Sequence, residues 1–150
     1  MKKFSFSLNK VLDYKTQIED SLRSEHAEAV KAVNEKEEKI QSMEDSYYRK
    51  IQELNDKKKN KCSIKELCIY EDYLSYSSQQ IRREKDRLVT LQKKEQEKRE
   101  EVIEAKKERR SIDLLKDKKK KEYDALAQKE EERFIEEFVV NSRSAQSNPA

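Results

Sequence analysis

The only histidine, His26, stands among the carboxylates Glu25 and Glu28, and two cysteines lie further along at Cys62 and Cys68. These are the side chains best suited to hold a metal ion or attack a substrate. His26 lacks a second His, or a Cys, at ligand spacing, and is read as a solvated helix residue. Five residues separate the two cysteines, where zinc turns have two to four, and nothing else completes a ligand set. No metal is expected. The thiols suit a reducing cytosol and imply no disulfide framework. Glycine is absent, so the glycine-rich loops that cradle phosphates cannot be built. Neither a cofactor nor an enzymatic activity is expected, and the chain should act by binding.

Two patterns bear on binding. Tyr47, Tyr48, Tyr70, Tyr73 and Tyr76 fall on either side of the only plausible chain reversal. They read either as packing near a hairpin tip or as a partner surface, since tyrosine is enriched at interface cores. The second pattern is charge segregation. Residues 106–121, KKERRSIDLLKDKKKK, carry nine basic and three acidic groups, and residues 122–138 carry seven acidic and two basic. Ion pairs along a solvated helix explain part of this. Blocks of opposite sign also favour oriented docking. A lysine run at 116–121 could contact nucleic acid, but the net charge of +3 is too small to imply such a partner.

The elements that must position these residues follow from composition. Of 150 residues, 45% are charged and 33% hydrophobic, and the mean hydropathy is −1.25. With no glycine and one proline, at position 149, tight turns have almost nowhere to form. Such a composition also marks disorder. Against that, 35 basic residues nearly balance 32 acidic ones, and the apolar residues recur at helical spacing, the signature of long helix or coiled coil. No apolar run reaches the roughly 18 residues of a membrane span, and the N-terminus lacks a secretory signal. A cytoplasmic protein with no direct membrane insertion is expected.

One apolar row runs Leu8, Val11, Ile18, Leu22, Ala29, Val33, Ile40, Tyr47, Ile51, Leu54, close to a heptad seam with a slip near Ala29–Val33. Ser7 is placed to cap its start, with Phe6 and Val11 as a hydrophobic staple. A second row runs Leu67, Leu74, Ile81, Leu88 and Val102, beside Leu91, Ala105, Ile112 and Leu126. Glu95, Lys98 and Arg109 interrupt it, so packing should loosen there. Ser63 and Glu66 form a capping box at its start. Between the rows, residues 55–63 are polar and aperiodic.

The expected fold is all-α: a single domain, 1–150, forming a long antiparallel two-helix coiled-coil hairpin. Helix one covers about 7–57, the hinge about 58–63 and helix two about 64–140, with a disordered tail over 141–150. The second helix is longer and overhangs. With the turn near Lys59, Leu8 falls opposite about Ile112, and everything later has no intrachain partner. Phe4, Phe6, Tyr123, Leu126, Phe134, Ile135, Phe138, Val139 and Val140 concentrate uncovered apolar surface there, as at a partner site.

Three stretches carry a resemblance: FSFSLNKVLDYK at 4–15, the pattern YxxYL at 70–74, and KKERRSIDLLKDKKKKEYDALAQKEEERFIEEF at 106–138. They resemble the FliJ family of flagellar export proteins over almost the whole chain. The resemblance implies a cytoplasmic, non-enzymatic component of the flagellar type III export apparatus, peripheral to the membrane at the flagellar base. It implies a coiled-coil stalk whose terminal end inserts into the hexameric export ATPase and stimulates it. Phe4, Phe6, Leu8, Val11, Arg109, Arg110, Phe134 and Phe138 would belong to that end. The cytoplasmic part of the export gate would meet Met43, Tyr47, Tyr70 and Tyr73, and export chaperones would be further partners. The alternative is a general structural coiled coil, a tether or the stalk of another rotary ATPase.

Overall fold

The computed structural model describes residues 2–147. They form two α-helices, α1 (Asn9–Lys59) and α2 (Ile64–Gln146), with no strand among the described residues. The helices pack against each other as a helical hairpin. Residues group into two compact units: 1–19 with 105–150, and 20–104. In the first unit Asn9 accepts from Lys116 and Glu108 accepts from Lys15. In the second, Glu25 accepts from Lys98, Glu84 from Lys36 and Glu53 from Tyr70. Partner numbers fall as the others rise, so each unit is antiparallel.

The turn is short because capping replaces glycine. α1 ends in Lys57, Lys58 and Lys59, cations that suit the negative C-terminal end of a helix. Ser63 Oγ then accepts the Glu66 backbone N–H at 3.3 Å, as the capping box requires, and its carbonyl accepts from Leu67. The start of α1 differs from expectation. Asn9 N–H donates to the Phe6 carbonyl and Leu12 N–H to the Leu8 carbonyl, so Leu8 stands at the cap position in place of Ser7. At the far end α2 continues to Gln146, past the expected boundary at 140. Ser142 and Ser144 hydroxyls there donate to the carbonyls of Phe138 and Val140. Residues 148–150 lie outside the described residues.

The covered positions repair the register. From Leu8 through α1 the central row runs 8, 12, 15, 19, 22, 26, 29, 33, 36, 40, 43, 47, 50 and 54, with 16, 18, 30, 32, 44 and 51 partly covered at its sides. In α2 the central row runs 67, 70, 74, 77, 81, 84, 88, 91, 95, 98, 102, 105, 109, 112 and 116, with 80 and 113 partly covered beside it and 123 and 127 beyond it. Steps of three and four alternate without a break, which is the 3.5-residue period of a coiled coil. There is no slip at Ala29–Val33. That reading followed apolar residues alone and took Val11, which is 39% exposed, in place of the buried Leu12. The true rows include Lys15, Glu19, His26, Lys36 and Lys50 on α1, and Glu84, Glu95, Lys98 and Arg109 on α2.

Buried Ile40, Leu54 and Ile81 are 6%, 6% and 8% exposed, whereas Val89 is 50% exposed. Truncating Ile40 or Ile81 to Ala should cost about 2–4 kcal/mol through lost burial and cavity formation. Val89→Ala should stay within about 0.5 kcal/mol of the parent. Urea unfolding followed by helical circular dichroism separates the cases, and equal effects would disprove this register. Aspartate at both Ile81 and Leu88 should melt most of the helix signal.

Candidate partner-binding surfaces

The polar seam positions set the geometry from which the surfaces follow. In the first unit, Arg109 donates to the buried Glu19 and also to Asp113 on its own helix. Its hydrogen bond to Glu19 holds the guanidinium pKa above its ordinary value. In the second unit, His26 Nε2 lies 2.9 Å from Glu95 Oε1, which Arg99 also reaches at 2.7 Å. The Glu95 carboxyl is held below its usual range, first by the His26 hydrogen bond, then by Arg99, against burial. Lys98 bridges Glu25 and Glu101 at 2.8 and 3.2 Å. Glu84, only 4% exposed, receives Lys36 at 2.6 Å, Arg87 at 2.7 Å and Lys39 at 3.4 Å. Its pKa falls from 4.5 to about 2, with the Lys36 hydrogen bond as the largest cause.

Two expectations are corrected here. His26 is not solvated: it is half-buried in the seam and bonded across it. Nor do Glu95, Lys98 and Arg109 leave the seam unfilled, since α1 supplies a partner of matching polarity to each. The overlooked signal was the seven-residue repeat counted over all residue types.

The N-terminal aromatics turn inward. Phe6 is buried and Phe4 half-buried. The Phe4 ring lies 5.5 Å from that of Tyr123, and the Tyr123 hydroxyl donates to the Lys2 carbonyl at 2.6 Å. Lys120 Nζ caps both rings at 5.3 and 5.1 Å. Residues 2–8 thus run along α2, with Leu115, Tyr123 and Leu126 lining the groove of about 580 Å³ between them. α2 therefore has an intrachain partner well beyond Ile112. Leu8 is half-buried, Val11 is partly exposed, Arg109 is engaged in its ion pairs, and Arg110 is exposed.

From residue 128 onward every described residue of α2 is exposed. Phe134 and Phe138 are 68% and 65% exposed, beside exposed Ile135, Val139 and Val140. In the second unit, Met43 and Tyr73 line a groove of about 290 Å³ with Tyr76, Gln80 and Ile81, and no charged side chain lines it. Tyr47 stacks edge-on against Tyr48 at 5.7 Å and lines a neighbouring depression. The Tyr70 ring is covered by Lys50 and Lys57, at 5.4 and 5.2 Å. Of the four hinge-side candidates, Met43 and Tyr73 share this groove.

Among the described residues no group of three His, Cys, Asp or Glu side chains could hold a metal ion. Among the described residues no helix is long and apolar enough to cross a membrane. Residues 4–147 match the family model described as Flagellar FliJ protein. The chain belongs to the FliJ family. It is accordingly a component of the flagellar protein export apparatus. No curated protein and no solved structure matches it.

The depressed pKa of Glu84 makes stability in this FliJ-family chain pH-dependent, with a definite sign. A carboxylate held below its unfolded value adds stability above that value, and the contribution disappears as pH falls through the folded one. The melting temperature should therefore drop between about pH 4.5 and 2. Glu84→Gln should lower it at neutral pH and flatten its acid dependence. Thermal melts across pH check this, and an unchanged acid slope would contradict the assigned pairing.

Proposed function

We propose that this FliJ-family chain is a non-enzymatic stalk of flagellar export, inserting the end of α2 into the export ATPase hexamer and stimulating it. The observation that carries the reading is the row of exposed apolar side chains at Phe134 and Phe138 on a helix stretch with no intrachain cover. A helix with an uncovered apolar stripe is marginal in water, so a partner that covers it gains burial without reorganising the hairpin. Flanking carboxylates at Glu130, Glu131, Glu136 and Glu137 favour a basic rim on that partner. Phe4 and Phe6 then act indirectly: Phe4, set against Tyr123, and the buried Phe6 brace α2 where the uncovered stretch begins.

The hinge-side groove at Met43 and Tyr73 is the surface offered to the cytoplasmic part of the export gate. An uncharged groove in a chain that is 45% charged suits an apolar segment with few charges. Export chaperones complete the partner set.

Adding the protein to its purified export ATPase should raise ATP turnover in a saturable manner. Replacing both Phe134 and Phe138 by Ser should raise the half-saturating concentration by about tenfold or more, the scale of losing aromatic anchors at an interface. The helical signal should stay intact, because both side chains are exposed. An unchanged turnover with the folded parent at saturation would refute the stalk reading. A parent-like response from the double variant would refute the assignment to these residues.

A further inference from the structure

The hinge tip gathers cations that the hairpin itself does not use. Residues 56–66, DKKKNKCSIKE, set five lysines against Asp56 and Glu66, a net charge of +3 that equals that of the whole chain. From Lys57 to Lys65 every residue is exposed except the half-buried Cys62. Lys57 leans over the Tyr70 ring at 5.2 Å. Lys58, Lys59, Lys61 and Lys65 make no hydrogen bond or ion pair with any described residue. The lysine run at 116–121 differs, since Lys116 donates to Asn9, and Lys119 and Lys120 pair with Glu122 and Asp124.

The negative end of α1 accounts for Lys57, Lys58 and Lys59. It does not account for Lys61, which lies beyond that helix, nor for Lys65 in the first turn of α2, where the helix dipole disfavours a cation. Between these two in sequence stands Ile64, 80% exposed, a larger fraction than any other large apolar side chain among the described residues. Ile69, in the next turn, is 61% exposed. A lone exposed isoleucine is ordinary on a protein surface, and so is a lysine run. An isoleucine projecting among unpaired lysines matches a surface with anionic phosphates outside and hydrocarbon about 5–10 Å beneath them.

We infer that the hinge tip from Lys57 to Lys65 is a docking surface for an anionic phospholipid bilayer, its lysines against the headgroups and Ile64 among the upper acyl carbons. Clusters of about four to eight basic residues attract such headgroups without a fixed register, which suits side chains that hold no partner of their own. Nucleic acid fits less well. Single strands stack on aromatic platforms, and the ring nearest the tip, Tyr70, is already covered by Lys50 and Lys57. A folded acidic protein fits less well too, since interface cores draw on aromatic anchors and residues 57–65 contain none. The contact shares no residue with the ATPase or gate surfaces and needs neither partner.

Co-sedimentation of the full chain with vesicles of phosphatidylcholine and phosphatidylglycerol tests this, with phosphatidylcholine alone as the neutral arm. Binding should be confined to the anionic vesicles and fall as salt rises past about 0.15 M. Neither inorganic phosphate nor a short DNA duplex, at equal phosphate concentration, should displace the chain. Lys59→Gln, Lys61→Gln and Lys65→Gln together should weaken binding by about a hundredfold, from about fivefold for each lysine near the surface. Lys106→Gln, Lys107→Gln and Lys118→Gln remove the same charge elsewhere and should change it by less than about threefold. The chain has no tryptophan, so Ile64→Trp gives a single reporter whose emission should shift to the blue on anionic vesicles, whereas that of Val89→Trp should not. No binding to anionic vesicles at low salt, equal losses from the two triple variants, an unshifted Ile64→Trp emission, or release by phosphate or DNA would overturn the inference.

Discussion

Charged groups placed inside the helix–helix seam are the constraint on which the rest of this molecule depends. A seam of leucines alone would let two helices slide by a heptad at little cost. Here Glu19 must find Arg109, His26 must find Glu95, and Glu84 must find Lys36. A slip strands several half-buried charges at once, and breaking such a pair costs far more than forming it gains. The pairs therefore act mainly on register, and the alternating three-and-four rows of apolar residues supply the burial.

With the register fixed, the unequal helix lengths acquire a meaning. The hairpin leaves α2 longer than α1 can cover, and the chain answers in two ways. Residues 2–8 fold along α2 and put Phe6 into cover and Phe4 against Tyr123. The stretch from 128 onward receives no such cover. The N-terminal segment thus separates the part of α2 that the chain packs for itself from the part that stays exposed.

Much of the fold was legible from composition and spacing. The absence of glycine forbade tight turns except where a polar stretch allowed one, and Ser63 and Glu66 marked the start of α2 through capping chemistry that depends only on nearby residues. The FliJ-like stretches, from Phe4 to Lys15 and from Lys106 to Phe138, were legible as well. The fate of single residues was not. Phe4 and Phe6 read as uncovered because helix periodicity is silent about an extended segment folding back on a neighbour. His26 read as solvated because its partner lies 69 residues away.

By itself the sequence determined two long amphipathic helices joined by one polar reversal, since helical period, caps and breakers act over a few residues. Only the tertiary structure decided which residues the seam contains, because a charged side chain reads as surface until its counterion appears across the interface. It also decided that the N-terminal phenylalanines are spent within the chain while Phe134 and Phe138 remain outside. Burial is a property of what lies opposite a residue, and that is set by the hinge position and the register it imposes.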